Sequence, residues 1–373
     1  LQQARDFQDV LDISRRWTND WNFRIGVQVL RNHLPSDEAG LPLSDIADTV
    51  VAALLAHVEK EIEARHGKFP GNGMAIIAMG KLGGRELTFQ SDLDLVCIYD
   101  VPKDASLSDG DRPLPPSHYF TRLTQALNSA LTSLTGEGRL YEIDMRLRPS
   151  GEAGPLAISL TAFEKYFHDT AWTWEFQALT RARMIAGPKV LCAAMEKAID
   201  TALHRTSPQE TLIRDIAGMR ERIARQRSGK NFWDLKDRPG GLIDVEFLCQ
   251  YLTLSHVVRH PEIRSTNTLI ALKRVRDAGI LAPEAIEGLI EASRFWNRLI
   301  GLLRLSFQGS FEESELPEGL RQALIHSVSC KDFDHLKIRI EETAKSVHRQ
   351  FDAMLTTPAK QLPPNEKGTS DAP

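Results

Sequence analysis

This 373-residue sequence has little cysteine and no surplus of basic charge. Its four cysteines, Cys97, Cys192, Cys249 and Cys330, are scattered, with no CxxC pair. Each lies among apolar residues and reads as a buried free thiol in a reducing compartment, which excludes a disulfide scaffold. Basic residues number 46 against 50 acidic ones, a net charge of -4. A protein that coats nucleic acid needs a cationic surplus to neutralise phosphates, so that class is disfavoured. The eleven histidines form no HExxH or comparable spacing, and zinc chemistry is not indicated. No apolar run reads as a membrane span and no signal peptide opens the chain, so a cytoplasmic protein that binds neither membrane nor nucleic acid is expected. The first residue is Leu1 rather than Met, and a piece of something longer is expected.

What is present is an ordinary globular composition, 42% apolar and 26% charged, on a chain too long for one core. Residues 1–66 read as helical, in three pieces that begin near Phe7, Phe23 and Leu43. Residues 67–190 read as a catalytic domain. Met74 to Met79 and Leu93 to Tyr99 are short apolar runs bounded by turns, as in central strands. Tyr141 to Arg148 alternates apolar and polar residues and reads as an eight-residue strand with one chemical face. Residues 161–186 read as helical, residues 205–356 as a helical bundle, and 357–373 as a polar, disordered tail. The expected fold class is α+β: a small mixed sheet flanked by N-terminal helices and a C-terminal bundle.

The chemistry concentrates in Gly80-Lys81-Leu82-Gly83-Gly84, followed by Ser91-Asp92-Leu93-Asp94-Leu95. Alternate strand residues share a face, so Asp92 and Asp94 lie side by side. Two adjacent carboxylates repel each other unless a cation sits between them. Asp144, on the alternating strand, supplies a third carboxylate if the strands are neighbours. Hard oxygen ligands of this kind suit Mg²⁺ carried with a nucleoside triphosphate. Asp144 is also placed to activate an incoming hydroxyl. The Gly83-Gly84 turn would bring backbone N–H groups to phosphate, with Lys81 and Ser91 beside it. Arg146 and Arg148, on the expected face of Asp144, would neutralise triphosphate or leaving pyrophosphate.

These residues resemble the nucleotide-binding signature of polymerase β-like nucleotidyltransferases. Four segments resemble the glutamine synthetase adenylyltransferase family more closely. They are GKLGGRELTFQSDLDLV, YEIDMRLRPSGEAGPL, AWTWEFQALTRARMI and WDLKDRPGGLIDVEF. Members carry two similar halves, one attaching AMP from ATP to a tyrosine of glutamine synthetase and one removing it by phosphorolysis. A single set of motifs implies one half, and AWTWE with RPSG resembles the adenylylating, carboxy-terminal one. Met145 also occurs in the removing half. The resemblance implies that Asp92, Asp94 and Asp144 hold Mg²⁺ and catalyse, and that Gly80, Gly83, Gly84 and Ser91 cradle ATP. It further implies glutamine synthetase as protein substrate, with a PII signalling protein and glutamine as regulators.

Bland readings stand beside these. Gly83-Gly84 is also a simple turn, the aspartates a solvated strand face, and Asp144, Arg146 and Arg148 a cross-strand ladder. Trp172 and Trp174 fit a core helix start, and Arg181 and Arg183 a solvated helix face. Arg220, Arg222, Arg225, Arg227 and Lys230 read as an exposed basic face. Three further functions compete: the adenylyl-removing half, an inactive regulatory module that binds PII protein, and a nucleic-acid polymerase of the same superfamily, which the net negative charge disfavours.

Overall fold

The computed structural model describes residues 4–69, 71, 73–205, 208–226, 231–307, 309 and 311–363. Two long helices lead, α1 (Phe7–Leu30) and α2 (Gly40–His66). The two pieces expected before residue 31 are one helix. No proline interrupts them, and Gly26 is buried in contact range of Leu305 and Phe89. α2 is long and apolar enough to cross a membrane, but half of its apolar stretch is buried inside the protein, as in a core helix.

The sheet follows, interleaved with helices: β1 (Gly73–Ala78), α3 (Gly80–Gly83), β2 (Leu93–Asp100), α4 (Pro116–Thr132), β3 (Ile143–Asp144) and β4 (Ala157–Ser159). Then come α5 (Leu160–Asp169), α6 (Thr173–Leu179), β5 (Arg183–Ala186) and α7 (Lys189–Leu203). The strand order is β3-β2-β1-β5, with β4 also paired to β2. β1 is antiparallel to β2 and β5, whereas β3 and β4 run parallel to β2. β1 and β2 are covered on both faces. Met74, Ile76, Leu93 and Leu95 join the core of α2 and α4; Ala75, Ile77, Val96 and Ile98 join that of α5 and α7. Burial on both faces is what their unbroken apolar runs predict.

Two expectations fail here. The alternating segment 141–148 is a two-residue strand, Ile143–Asp144, after which the chain leaves the sheet and returns as β4. The detour is stitched by Arg148, which donates to the carbonyls of Met145 at 2.7 Å, Glu152 at 3.2 Å and Gly154 at 3.2 Å. The span 161–186 is not one helix but α5, α6 and the edge strand β5. The chain turns at Thr170-Ala171 and again at Thr180-Arg181-Ala182, and β1 recruits Arg183–Ala186 through its free edge.

The C-terminal region is helical: α8 (Gln209–Gln226), α9 (Leu242–His256), α10 (Thr268–Asp277), α11 (Pro283–Ser306), α12 (Glu318–Ser327), α13 (Phe333–Phe351) and α14 (Thr357–Gln361). The first residues of the expected disordered tail are therefore helix α14, and 364–373 lie outside the described residues.

Candidate active site

α3 begins where β1 ends, and its first residue, Gly80, has φ +51°. That backbone favours glycine. A Cβ there would overlap the Asp94 carboxylate, so the missing side chain lets Asp94 lie against the turn. Met79 N–H donates to the Asp94 carbonyl at 2.9 Å, fixing the turn to β2. Asp92 precedes β2 and is exposed, while Asp94, within β2, is partly buried. The parallel register sets Asp144 directly beside Asp94. Burial, then the charges of Asp92 and Asp144, push Asp94 up to about 7.

Asp144 is not free of partners. Arg146 grips it through Nε at 2.9 Å and Nη2 at 2.5 Å, and the Arg146 backbone N–H adds a bond at 2.8 Å. This arginine holds Asp144 below the usual carboxylate range. Among the described residues no three or more His, Cys, Asp or Glu form a ready-made metal cage.

A cleft of about 1080 Å³ opens beside these groups. Gly80, Lys81, Ser91, Asp92 and Asp94 line it. Lys81 is pushed down to about 8, by burial first and by Lys236 and Arg181, against the pull of Glu246 and Glu86. The Ser91 hydroxyl is within hydrogen-bond distance of the Thr88 N–H at 3.0 Å and hydroxyl at 2.9 Å, and so closes the loop. Gly83 and Gly84 do not line the cleft; their N–H groups already bond to Met79 and Gly80 carbonyls at 2.8 and 3.1 Å. Their bare Cα atoms instead make room for Arg181. Arg148 makes its hydrogen bonds to carbonyls of its own loop, and only its charge adds to the lowering of Asp144.

Arg181, expected on a solvated helix face, is instead enclosed at the end of α6. It is 6% exposed and lines the cleft, where ion pairs hold it. It pairs with Glu86 and, at 3.1 Å, with Glu246 of α9, while the backbone N–H of Thr268 donates to Glu86 at 2.6 Å. Burial alone would raise Glu246, but Arg181, Lys81 and Lys236 outweigh it and hold its carboxyl low. Arg183 bonds Asp48 of α2 at 2.7 Å and the Leu82 carbonyl at 3.0 Å, so it too is structural. The glycine-rich loop is thus clamped by α2, α9 and α10 together.

The segment Trp233–Phe247 now has a place. Gly240 and Gly241 form a turn pressed on Ala344 and Leu235 carbonyls, and a Cβ would clash at either. Buried Arg220 pairs with Asp244, whose other oxygen accepts from Gly240 N–H at 2.6 Å. The turn delivers Asp234, Lys236 and Glu246 to the cleft wall opposite the aspartates. Arg220 is therefore core, not an exposed basic face; Arg227 and Lys230 lie outside the described residues. Trp174 lines the cleft, and Trp172 is 39% exposed at the start of α6.

Comparison with known proteins agrees with this architecture. Residues 1–198 match the model of the family described as glutamate-ammonia ligase adenylyltransferase, and 212–355 match that of GlnD PII-uridylyltransferase. A bifunctional glutamine synthetase adenylyltransferase/adenylyl-removing enzyme of Bradyrhizobium sp. (strain ORS 278) is 40% identical over 355 residues, 95% of this chain. The protein of that name from Brucella suis biovar 1 (strain 1330) is 41% identical over 356 residues. The chain spans 36% of the length of each of these relatives. A carboxylate pair set against a glycine turn, and a family match over more than half of the chain, lead to one assignment: the chain belongs to the glutamate-ammonia ligase adenylyltransferase family.

Proposed function

We propose that this chain transfers AMP from ATP to a tyrosine hydroxyl of glutamine synthetase. The observation that carries the reading is the Asp92, Asp94 and Asp144 group beside a cleft that has Lys81 and Lys236 in or near its wall. The tyrosine oxygen bonds to the α-phosphorus, the bond to the bridging oxygen of the β-phosphate breaks, and pyrophosphate leaves. The hydroxyl proton passes to Asp144. Arg146, 68% exposed along its side chain, is free to swing from Asp144 to the departing pyrophosphate. Lys81 supplies positive charge at the triphosphate, and the clamped glycine turn holds it in position.

The donor set fits Mg²⁺. Its oxygens are hard, and Asp94, raised first by burial and then by the charges of Asp92 and Asp144, is a carboxylate that a cation would stabilise in its charged form. Asp92 and Asp94, with Asp144, would hold the ion together with substrate phosphates. Once bound, Mg²⁺ neutralises triphosphate charge and stabilises the transition state. A PII-type protein and glutamine are the regulators this reading expects, in the cytoplasm.

Incubation with unmodified glutamine synthetase and ATP labelled in its α-phosphate tests the reading. Label on the synthetase, lost when Asp92 and Asp94 are both changed to Asn, is the expected result. Phosphate-dependent release of AMP from premodified synthetase, with no forward labelling, would replace this reading with the removing reaction. Labelling that survives the double change would overturn the carboxylate assignment.

A further inference from the structure

One stretch of the cleft wall takes no part in the chemistry proposed above. Glu246 and Gln250 are one helical turn apart on α9, and they face Arg181, in the turn that ends α6, and Gln177 within α6. They meet as two rungs. Arg181 pairs with Glu246, and Gln177 Nε2 donates to Gln250 Oε1 at 3.0 Å. All four residues line the cleft. The charged rung faces Lys81, so the amide rung lies one turn, roughly 6 Å, further along the wall.

Gln177 is 3% exposed, and its Oε1 has no hydrogen-bond partner. A buried acceptor left without a donor is costly and calls for a reason. With Gln177 Nε2 donating to Gln250 Oε1, the Gln177 carbonyl is left to accept and the Gln250 amide nitrogen to donate. The amine-bearing edge of adenine is the complement: its N6 amine donates and its N1 accepts. Trp174 and Phe247 each precede their glutamine by three residues, on the same helical face, and both line the cleft. They offer rings on which a purine can stack.

We propose that the Gln177–Gln250 pair is the base-recognition element of the cleft and selects adenine through its 6-amino group. The inference rests on the nucleotidyl-transfer reading above and adds the residues that choose the nucleotide. Guanine seated in the same orientation would set its O6 against the Gln177 carbonyl, acceptor against acceptor.

The test is equilibrium binding, with Mg²⁺ present, of ATP, GTP, purine riboside triphosphate and inorganic tripolyphosphate. Purine riboside triphosphate differs from ATP only in lacking the 6-amino group. The protein is expected to bind ATP roughly tenfold to a hundredfold more tightly than this analogue. Gln177→Met should bring the two affinities together and leave tripolyphosphate binding unchanged. If that variant does not fold, the wild-type series decides the point alone. Equal binding of ATP and the analogue by the wild type, or a preference that survives Gln177→Met, overturns the inference. Equal binding of all nucleotides would leave the nucleotidyl-transfer reading standing, whereas failure to bind even tripolyphosphate would remove both.

Discussion

Gly80 and Asp94 share one volume: the Asp94 carboxylate fills the place a side chain on residue 80 would need. The turn therefore requires glycine twice, once for its positive φ and once for this contact.

Gly80→Ala should lose nearly all AMP transfer while costing about 1–3 kcal/mol of stability, the strain of a left-handed non-glycine residue. Urea unfolding together with the labelling assay checks it. A variant with wild-type transfer would show that Asp94 need not lie against the turn.

Arg146 and Arg148 should separate cleanly. Arg148→Ala removes three bonds to loop carbonyls and should destabilise by about 1–3 kcal/mol, with new proteolytic cleavage between 145 and 156. Arg146→Ala breaks a pair whose arginine is 68% exposed and whose aspartate is 15% exposed, and should change stability by about 1 kcal/mol or less while slowing transfer. The reverse pattern in melting and kinetics would return Arg148 to the phosphate side.

Arg181→Met removes the cation that pairs with both Glu86 and Glu246, leaving only the more distant charges of Lys81 and Lys236. The expected cost is about 3–5 kcal/mol in urea unfolding. Arg181→Lys should recover only part of it, since one ammonium cannot serve two carboxylates in fork geometry.

Lys81 supplies the pH dependence. Its charge in the folded protein is lost as pH rises through about 8. Triphosphate affinity should fall by roughly tenfold across that window, and Lys81→Met should be weak and flat throughout. Stability has the opposite sign. Between about 8 and 10.5 the unfolded chain holds a proton that the folded one lacks, so unfolding free energy rises with pH. Binding titrations and melts at pH 7, 8 and 9 read both slopes.

Local pattern carried much of the fold. Met74 to Met79 and Leu93 to Tyr99 read correctly as central strands because unbroken apolar runs bounded by glycine or polar turns have few other uses. The segment Tyr141 to Arg148 misled for a related reason. Alternation marks residues able to form a strand, but the detour ends pairing after Asp144, where Arg148 is drawn inward by backbone carbonyls. β5 was hidden among helical aromatics, since an edge strand of four residues is fixed by its partner rather than its own periodicity.

The sequence by itself determined the glycine turn, the Asp92/Asp94 pair at the start of the central strand and the amphipathic helices around them. Each follows from spacing within a few residues, where backbone geometry dictates which side chains share a face. Tertiary structure alone decided which cations serve the site and which hold the frame. Glu86 meets Arg181 95 residues later and Thr268 182 residues later, and Gln177 meets Gln250 across 73 residues. No local period encodes such meetings. They arise when burying the apolar faces of α6, α9 and α10 forces the polar residues between them to find partners.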